Sequence, residues 1–471
     1  MYEKIDSDLR KRIEDVVGTE NLLSLPEELE DYGRDETPGL SARPEAAVRP
    51  GTAGEISALL KLANEYRFPV LARGGGTGVT GGAVPVHGGL VIGLERMNRV
   101  VEIDEKNMMA VVEAGVVTEE LHRAVEERGL FYPPDPASLD SCTLGGNLAE
   151  DAGGPRAVKY GVTRDYLTGV EAILPGGEII SYGGKTVKNA TGYNLLHLLI
   201  GSEGTLGIAS RITARLLVKP GFRVDLLVPF PSYRTAVEAV AAILQRRLEP
   251  TAIEFMDRRC LEISRQVLQN PVPFDDAAAH LLIEVDGDEP GRVEKRYEAI
   301  GEICLEGGAA DIRVADSPRY QDQIWETRRK LRDSIKTVSP VKVSQDVVVP
   351  RMEIAALLAG IEQIGKSRGV EIISYGHAGD GNVHVNFLKR DREEAGWREA
   401  VGKAVPELFQ LAVRLGGTIS GEHGIGFSKR DYLSLALNPA AIAAMRSIKR
   451  SLDPGNILNP GKIFPVDEGK K

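Results

Sequence analysis

Short apolar runs and helical spacing alternate along the first 220 residues of the chain. Strand-like runs occupy 46–50, 69–73 and 90–94, and the apolar positions over 55–66 have the spacing of an amphipathic helix. The first two runs and this helix predict a short β-α-β unit. Further apolar runs predict strands at 99–104 and 109–115 and then a helix over 118–128. This part of the chain is therefore predicted to mix helices and strands.

Beyond Pro220 the pattern predicts a second domain. Apolar runs at 224–230, 253–257 and 280–287 predict strands of an antiparallel sheet. Helical spacing predicts helices near 232–247, 291–307, 317–336, 352–368, 398–415 and 439–452. Pro454 is expected to stop the last of them. The predicted fold class is α+β.

Composition narrows the classes of protein to which the chain can belong. Apolar residues make up 42% and charged residues 27% of the 471 residues, which is typical of a soluble globular protein. The formal net charge of −10 argues against nucleic-acid binding. No apolar stretch approaches the ~18 residues that cross a bilayer, and residues 1–18 lack the apolar core of a signal peptide. We therefore expect a cytoplasmic protein without an integral membrane segment.

Three of the seven histidines fall in two glycine-rich segments. His377 and His384 lie in SYGHAGDGNVHVNF, and His423 follows Glu422 in TISGEHGIG. Neutral imidazoles plus one carboxylate make a catalytic metal site with an open coordination position. VHVNF predicts a strand in which His384 and Asn386 share a face. The cluster predicts a divalent metal site for zinc, manganese or iron(II). Its alternatives are turn histidines in ordinary hydrogen bonds and a Glu422 that bonds its own loop.

Three glycine-rich loops lie in the first half of the chain. The first, VLARGGGTGVTGG at 70–82, contains G-x-G-x-x-G, but turn and strand residues follow it. A nicotinamide-binding fingerprint would need a helix there. Successive backbone N–H groups of the loop can instead form a nest for phosphate oxygens, with Arg73 as added charge or as a surface residue. Similar loops at 140–154 and 199–208 indicate an elongated dinucleotide ligand.

Seven motifs follow one another along the chain: ARGGGTGVTGGA, SCTLGGNLAEDAGG, KNATGYNLLHLLIGSEGTLGI, WETRRKLR, GHAGDGNVHVN, GEHGIG and LNPGKIF. With them the chain resembles, over nearly its full length, the FAD-dependent 2-hydroxyacid dehydrogenases of the vanillyl-alcohol-oxidase (PCMH-type) flavoprotein superfamily. This group includes the FAD subunit of glycolate oxidase, D-lactate dehydrogenase and D-2-hydroxyglutarate dehydrogenase. The resemblance implies a PCMH-type FAD-binding domain of two α+β subdomains over 1–220. It also implies an antiparallel-sheet substrate (cap) domain with the metal site over 221–425, and a C-terminal segment, 426–471, that returns to the FAD domain.

The resemblance assigns the cofactor site residue by residue. It implies a pyrophosphate loop, a lining for the isoalloxazine and diphosphate, an adenosine side and one contact from the tail. The residues concerned are Arg73, Gly74, Gly75, Gly76, Thr77, Gly78, Thr80, Gly81 and Gly82; Pro134, Asp135, Thr143, Gly145, Gly146, Asn147 and Gly153; Gly204, Thr205 and Ile208; and Asn459. Some family members attach the flavin to a histidine of the first loop. This chain has none between 73 and 82, so we expect non-covalent FAD.

The metal-dependent branch of the family supplies roles for the histidine cluster. His377, His384 and Glu422 match its metal ligands, and His423 matches its catalytic base. A divalent ion on these ligands is expected to acidify the substrate hydroxyl, and an imidazole can accept a proton near neutral pH.

The same resemblance supplies the contacts to the substrate. Arg328 and Lys342 match positions that hold the substrate carboxylate, and Asn386 matches a further substrate contact. Without the resemblance, composition favours a solvated-face residue for Arg328, in its highly charged helix, and a strand-edge lysine for Lys342. Arg332 departs from the smaller polar residue of some members, which leaves the size and charge of the substrate open.

The sequence thus predicts an enzyme that oxidises a D-2-hydroxyacid to the 2-oxoacid, by hydride transfer to flavin N5 with metal assistance. Three scattered cysteines fit a reducing compartment and cannot hold an iron–sulfur cluster, and no nicotinamide site is evident. We therefore expect electrons to pass to a partner: an iron–sulfur subunit, an electron-transfer flavoprotein, a quinone or a cytochrome. Such a partner could hold the protein at a membrane surface. Lactate, glycolate and 2-hydroxyglutarate are all open as substrates.

Two other functions are compatible with parts of the sequence. A non-catalytic FAD subunit that only passes electrons within a complex should have lost the metal and base residues, and this chain retains them. An enzyme of the alkyl-dihydroxyacetone-phosphate synthase type carries a histidine run where this chain has SGEHGIG at 420–426. The dehydrogenase is therefore the expected function.

Overall fold

A computed structural model describes residues 2–268 and 277–466 of the chain. The described residues form two compact units. The first unit is assembled from three separate stretches of chain, 2–153, 162–219 and 422–466. The second unit contains the short segment 154–161 together with the described residues of 220–421.

Strands and helices are numbered in chain order. The strands are β1 (Leu22–Leu23), β2 (Ala46–Val48), β3 (Val70–Arg73), β4 (Leu90–Gly93), β5 (Val100–Asp104), β6 (Met109–Glu113), β7 (Leu130–Phe131), β8 (Leu167–Ile173), β9 (Ile179–Gly183), β10 (Ile208–Arg215), β11 (Leu217–Val218), β12 (Phe222–Phe230), β13 (Ala252–Asp257), β14 (Ala279–Gly287), β15 (Arg313–Ala315), β16 (Lys342–Val348), β17 (Glu371–His377) and β18 (Asn382–Leu388). The helices are α1 (Ser7–Val17), α2 (Pro26–Leu29), α3 (Ala53–Tyr66), α4 (Thr118–Glu126), α5 (Leu144–Glu150), α6 (Ala157–Tyr160), α7 (Leu195–Leu199), α8 (Tyr233–Gln245), α9 (Arg258–Val267), α10 (Pro290–Glu306), α11 (Pro318–Arg329), α12 (Leu331–Val338), α13 (Ile354–Arg368), α14 (Glu394–Arg414), α15 (Leu433–Ala436) and α16 (Pro439–Leu452).

The first unit contains two main sheets. One is four-stranded, in the order β1-β2-β4-β3, and the other is an antiparallel sheet in the order β5-β6-β10-β8-β9. The predicted β-α-β unit is present as β2, α3 and β3, but β4 lies between its two strands and pairs in parallel with both. This leaves β3 at the edge of the sheet, where the first glycine loop begins.

Residues 457–459 of the C-terminal segment, which we call the tail, cover that edge. Val70 of β3 donates its N–H to the carbonyl of Ile457, and its own carbonyl accepts the N–H of Asn459. An edge strand exposes unpaired backbone groups, and here the tail satisfies them. The edge of the sheet and the tail therefore form one continuous surface beside the glycine loop.

The second unit is built on a seven-stranded sheet in the order β15-β12-β14-β13-β17-β18-β16. Every strand pair in it is antiparallel, as the apolar runs predict. Helices α9, α11 and α12 pack part of one face through an apolar cluster that includes Trp325, Leu331 and Tyr375. The rest of this face carries polar side chains, which is unusual for a sheet interior and directs attention to it.

Two predicted helices differ from those observed in instructive ways. The helix expected over 317–336 is two helices, because Lys330 adopts a ψ of 3° and interrupts the hydrogen-bond ladder between α11 and α12. The helix expected over 398–415 begins earlier, at Glu394, because the Glu393 side chain accepts the N–H groups of Ala395 and Gly396 and caps it. No helix among the described residues is long and apolar enough to cross a membrane.

Candidate FAD and metal sites

The first glycine loop of the first unit presents free backbone donors. Among the described residues, the N–H groups at 74–78 have no hydrogen-bond acceptor. Unpaired N–H groups in succession are what a nest for phosphate oxygens provides. Arg73 lies beneath the loop, where its guanidinium donates to the carbonyl of Arg34 at 2.6 Å. Gly76 has a φ of +68°, a left-handed conformation that favours glycine.

The second loop packs directly on the first. A Cβ at Gly75 would meet the carbonyl oxygen of Ser141 at 2.1 Å, and one at Gly74 would meet Oγ1 of Thr143 at 2.4 Å. Thr143 itself caps α5 by accepting the N–H of Gly146 at 3.3 Å. Gly145 lies against Ala114, whose carbonyl accepts its N–H. The glycines of both loops therefore allow two stretches of backbone to approach closely.

Other residues assigned to FAD by the resemblance have protein partners in the first unit. Asn147 is buried and donates its side-chain amide to Oγ1 of Thr118 at 2.7 Å. The carbonyl of Pro134 lies 2.9 Å from Nε2 of His122, and the neighbouring Asp135 is buried. These contacts fix the conformation of the loops, so Asn147 and Pro134 have a structural role.

The third loop meets the tail at Asn459. The side-chain amide of Asn459 donates to the carbonyls of Gly82 at 3.1 Å and Glu203 at 2.8 Å. Next to Glu203, Gly204 has a φ of +64°, and the hydroxyl of Thr205 donates to the carbonyl of Ser202 at 2.7 Å. Ile208 begins β10 and is buried. The assigned residues of the first loop, the third loop and the tail are thus joined by one amide.

Two buried charges near Asn459 were not found by the sequence analysis. Glu203 accepts the N–H groups of Ile425 and Gly426, each at 2.7 Å, and its burial raises its pKa. Lys462 donates to the carbonyl of Val84 at 2.6 Å, and burial lowers its pKa to about 8. In the sequence both are single charges in glycine-rich loops, which gives no local sign of burial. The free N–H groups, the close-packed glycines and this polar support fit an FAD site.

Residues 422–426, EHGIG, belong to this support in the first unit. The carbonyl of His423 accepts the hydroxyl of Thr80, and Nε2 of His423 lies 3.8 Å from Oε1 of Glu422. A Cβ at Gly153 would come within 3.0 Å of the Glu422 carboxylate, so that carboxylate lies against the second loop. His423 and Glu422 are thereby held beside the loops assigned to FAD.

Nine polar or aromatic residues share one face of the sheet in the second unit. Residues paired directly across antiparallel strands point to the same side of a sheet. Register places them together through the pairs Glu254–His377, Tyr375–His384, His377–Asn382, Asp346–His384 and Ser344–Asn386. Lys342 belongs to the same face because it alternates with Ser344 along β16. We call this set the site face: Glu254, Lys342, Ser344, Asp346, Tyr375, His377, Asn382, His384 and Asn386.

The two histidines of the site face point at each other. Nε2 of His377 lies 3.4 Å from Nε2 of His384, and the rings are nearly perpendicular, at 83°. The other ring nitrogen of His377, Nδ1, lies 2.6 Å from Oε1 of Glu254, which is completely buried. Two imidazole nitrogens that converge in this way fit the donor set of a divalent metal ion.

The residue that precedes the third predicted ligand, Glu422, contacts the site face. The N–H of Gly421 donates to Oδ2 of Asp346 at 2.7 Å, and Asp346 is paired in register with His384. A Cβ at Gly421 would overlap the side-chain amide of Asn382. Glu422 is the next residue. The backbone that leads to Glu422 is therefore fixed to the site face.

Arg328 is a buried member of this site and not a solvated helix residue. It lies in the last turn of α11, with its side chain 7% exposed and its NH2 2.5 Å from Oε2 of Glu254. Its guanidinium carbon lies 4.8 Å from the ring centroid of Tyr375. Burial raises the pKa of the Tyr375 hydroxyl, while the Arg328 charge lowers it. Neither Glu254 nor Tyr375 was singled out from the sequence.

Lys342 is also buried, although β16 is an edge strand. Its ammonium donates to Oγ of Ser344 at 3.1 Å and to Oδ1 of Asn386 at 3.2 Å. The Ser344 hydroxyl donates to the same Asn386 oxygen at 2.8 Å. Within the second unit, the site face with Arg328 beside it therefore brings together two cations, two carboxylates, two amides and two facing imidazoles.

Two family models and several known proteins match this chain. The family described as FAD linked oxidases, C-terminal domain, matches residues 219–463, and the family described as FAD binding domain matches 44–183. The chain is 39% identical to the glycolate oxidase subunit GlcD of Bacillus subtilis (strain 168), with 99% of each chain covered. It is 40% identical to a D-lactate dehydrogenase of Archaeoglobus fulgidus, with 92% of this chain and 95% of the relative covered.

A solved structure confirms the predicted fold class. The crystal structure of p-cresol methylhydroxylase with substrate bound superposes with a TM-score of 0.81, over 98% of this chain and 97% of that one, at 19% identity. At this identity the likeness shows the fold alone, which is the PCMH-type α+β fold. Together with the two family matches and the relatives above, it leads to one conclusion: the chain belongs to the FAD-linked oxidases and is an FAD-dependent oxidoreductase.

Proposed function

We propose that this protein oxidises a D-2-hydroxyacid to the corresponding 2-oxoacid, with FAD held by the first unit and a divalent metal held by His377, His384 and Glu422. The observation that carries the proposal is the pair of facing Nε2 atoms on the site face, 3.4 Å apart, with buried cations beside them. The names of the relatives, a glycolate oxidase subunit and a D-lactate dehydrogenase, support the substrate class. In this proposal residues 1–220 bind FAD, 221–425 bind substrate and metal, and 426–471 complete the FAD site.

The carboxylate of the substrate is assigned to Arg328 and Lys342. Both cations are buried, so a carboxylate that reaches them interacts in a medium of low effective dielectric. Arg328 has one edge on Glu254 and offers its remaining N–H groups, and Lys342 is oriented by Ser344 and Asn386. This arrangement would hold the acid in one orientation. Arg332, close enough to Tyr375 for its charge to lower that hydroxyl's pKa, adds positive charge near this site.

The hydroxyl of the substrate is assigned to the metal ligands and to His423. A divalent ion on His377, His384 and Glu422 would stabilise the alkoxide form of the hydroxyl, as it does for bound water. His423 would accept the hydroxyl proton, because an imidazole can take up a proton near neutral pH. Two sets of hydrogen bonds support its position. The hydroxyl of Thr80 donates to the His423 carbonyl, and the N–H groups of Ile425 and Gly426 donate to the Glu203 carboxylate.

The first unit would hold FAD without a covalent link. Residues 74–78 would bind its phosphate oxygens through their free N–H groups, and Asn459 would keep the tail against the loops. FAD, when bound, would supply the hydride acceptor.

The three cysteines are free, buried and in different parts of the chain. We therefore propose that electrons leave to a separate acceptor, that the compartment is the reducing cytoplasm, and that any membrane attachment is through this acceptor.

The test is anaerobic reduction of the bound flavin by a panel of D- and L-2-hydroxyacids. We expect one D-acid to bleach the absorbance of the oxidised flavin quickly, a chelator to abolish the bleaching, and a divalent metal to restore it. His384→Ala should behave as the chelated protein does, while His197→Ala, a matched change at an exposed histidine of α7, should bleach as the wild type.

Two contrary outcomes would contradict different parts of the proposal. Bleaching that ignores both the chelator and His384→Ala would remove the metal from the proposal and keep the dehydrogenase. Absence of bleaching by every hydroxyacid, in a protein with a full complement of FAD, would contradict the proposed reaction. It would favour a subunit that only carries electrons.

A further inference from the structure

One buried carboxylate joins the two halves of the proposed site in the second unit. Glu254 is completely buried in the middle of β13, and its two oxygens have different partners. Oε1 lies 2.6 Å from Nδ1 of His377, and Oε2 lies 2.5 Å from NH2 of Arg328.

The contact with His377 determines which nitrogen of that ring carries a proton. A carboxylate oxygen at 2.6 Å can only accept, so Nδ1 must donate. Nε2 then carries the lone pair, on the opposite side of the ring, where Nε2 of His384 lies. A carboxylate on the second nitrogen of a metal-binding histidine fixes the ring and makes it a better ligand.

The contact with Arg328 determines where that guanidinium points. Arg328 is 7% exposed and lies over the ring of Tyr375, so its position depends on the few groups that surround it. A buried guanidinium needs a paired charge, and Glu254 supplies it. The pair is neutral overall, and the other edge of Arg328 can donate to a second carboxylate.

We propose that Glu254 is a positioning residue that sets both the ligand nitrogen of His377 and the orientation of Arg328. This inference rests on the proposed function for its consequence, because it makes metal binding and substrate binding depend on one carboxylate. The alternative is a purely structural role, in which the buried ion pair of Glu254 with Arg328 only stabilises the packing of α11 on β13. That alternative predicts loss of stability without a specific loss of metal affinity.

The first test measures metal binding and not turnover. The dissociation constants of Mn²⁺ and Zn²⁺, each alone, are measured by competition with a fluorescent chelator for FAD-loaded wild type, Glu254→Gln and Glu284→Gln. Glu284 is the matched control, since it is a buried carboxylate on the neighbouring strand β14 whose ion pairs are with Arg156 and Arg223. Glu254→Gln should weaken metal binding by roughly 10- to 100-fold. Glu284→Gln should leave it at the wild-type value; equal values for all three proteins would overturn the proposal.

The second test uses the wild type and so does not depend on a variant that folds. Nitrogen NMR of selectively labelled histidine, assigned with His377→Gln, shows whether Nδ1 of His377 carries a proton in the metal-free protein. A proton on Nδ1 is expected, and an unprotonated Nδ1 would overturn the proposal. If the wild type binds neither metal, the metal part of the proposed function fails, while this measurement still decides the orientation set by Glu254.

Discussion

The hydroxyl of Thr80 donates a hydrogen bond to the backbone carbonyl of His423 over 3.2 Å. The carbonyl of Thr80 also accepts the N–H groups of Phe427 and Ser428. Thr80 of the first glycine loop therefore bonds residues 423–428 at both ends, and this segment carries the proposed base, His423. The position of the base is set by the same loop that is assigned to the pyrophosphate.

Thr80→Val removes the hydroxyl while preserving the shape of the side chain. We expect a loss of about 1 kcal/mol in the stability of the first unit, because the His423 carbonyl loses its donor. We also expect kcat to fall more than KM rises, because the base is displaced. Steady-state kinetics on FAD-saturated protein check this, and Thr80→Ser should restore kcat. If Thr80→Val kept both the wild-type kcat and its pH profile, the bond would have no part in placing His423.

Gly426→Ala should destabilise the same segment by adding one methyl group. Gly426 has a φ of +53°, and a Cβ there would lie 2.4 Å from the carbonyl oxygen of Thr80. Overpacking costs about 1–3 kcal/mol beyond the ~1–2 kcal/mol of a left-handed backbone. Gly129→Ala in the same unit, where φ is +70° and nothing lies within 4 Å, measures the backbone cost alone. The temperature of flavin release should fall further for Gly426→Ala; equal falls would contradict the steric argument.

Lys342→Met should weaken the grip on the substrate carboxylate. A charge-assisted hydrogen bond contributes about 1.5–3 kcal/mol, so kcat/KM should fall by roughly 10- to 100-fold. Anaerobic flavin reduction over a range of hydroxyacid concentrations checks this. Lys336→Met, at an exposed position of α12, is the control and should react as the wild type. A wild-type kcat/KM in Lys342→Met would mean that the substrate carboxylate binds elsewhere.

Asp225 should make the fluorescence of Trp325 depend on pH. Burial raises the pKa of Asp225 to about 6, and its Oδ1 accepts the indole N–H of Trp325 at 3.0 Å. Since the folded pKa exceeds the unfolded value of ~3.9, the stability from this group is complete below about pH 3.9 and is lost as pH rises through 6. The emission of Trp325 should change with a midpoint near pH 6 and become flat in Asp225→Asn. Trp397→Phe should keep the transition, and a transition that survives Asp225→Asn would assign it to another group.

Local sequence patterns predicted much of the secondary structure. The runs at 90–94 and 109–115 are strands β4 and β6, and the last predicted helix, 439–452, coincides with α16. The α+β class, the antiparallel second sheet and the family were confirmed. These features are readable because periodicity and turn residues act over a few neighbouring positions.

Features that depend on strand order could not be predicted. Glu254 appears in the sequence as one of two acidic residues in the run IEFMD, and only the pairing of β13 with β17 brings it to His377. The same holds for β4, which lies between β2 and β3, and for Lys342, which is buried on an edge strand. The assigned roles of the FAD, metal and substrate residues stay predictions that the experiments above address.

The pairing of Val70 with residues near the end of the described chain bears on how the protein is made. The strands of the second unit, β12–β18, are encoded without interruption, so they can pair while synthesis continues. The edge strand β3 is synthesised before the second unit, but its partners Ile457 and Asn459 are synthesised after it. The first unit is therefore begun before the second unit and completed after it, and its cofactor loops receive their final support only when residues 457–459 have been synthesised.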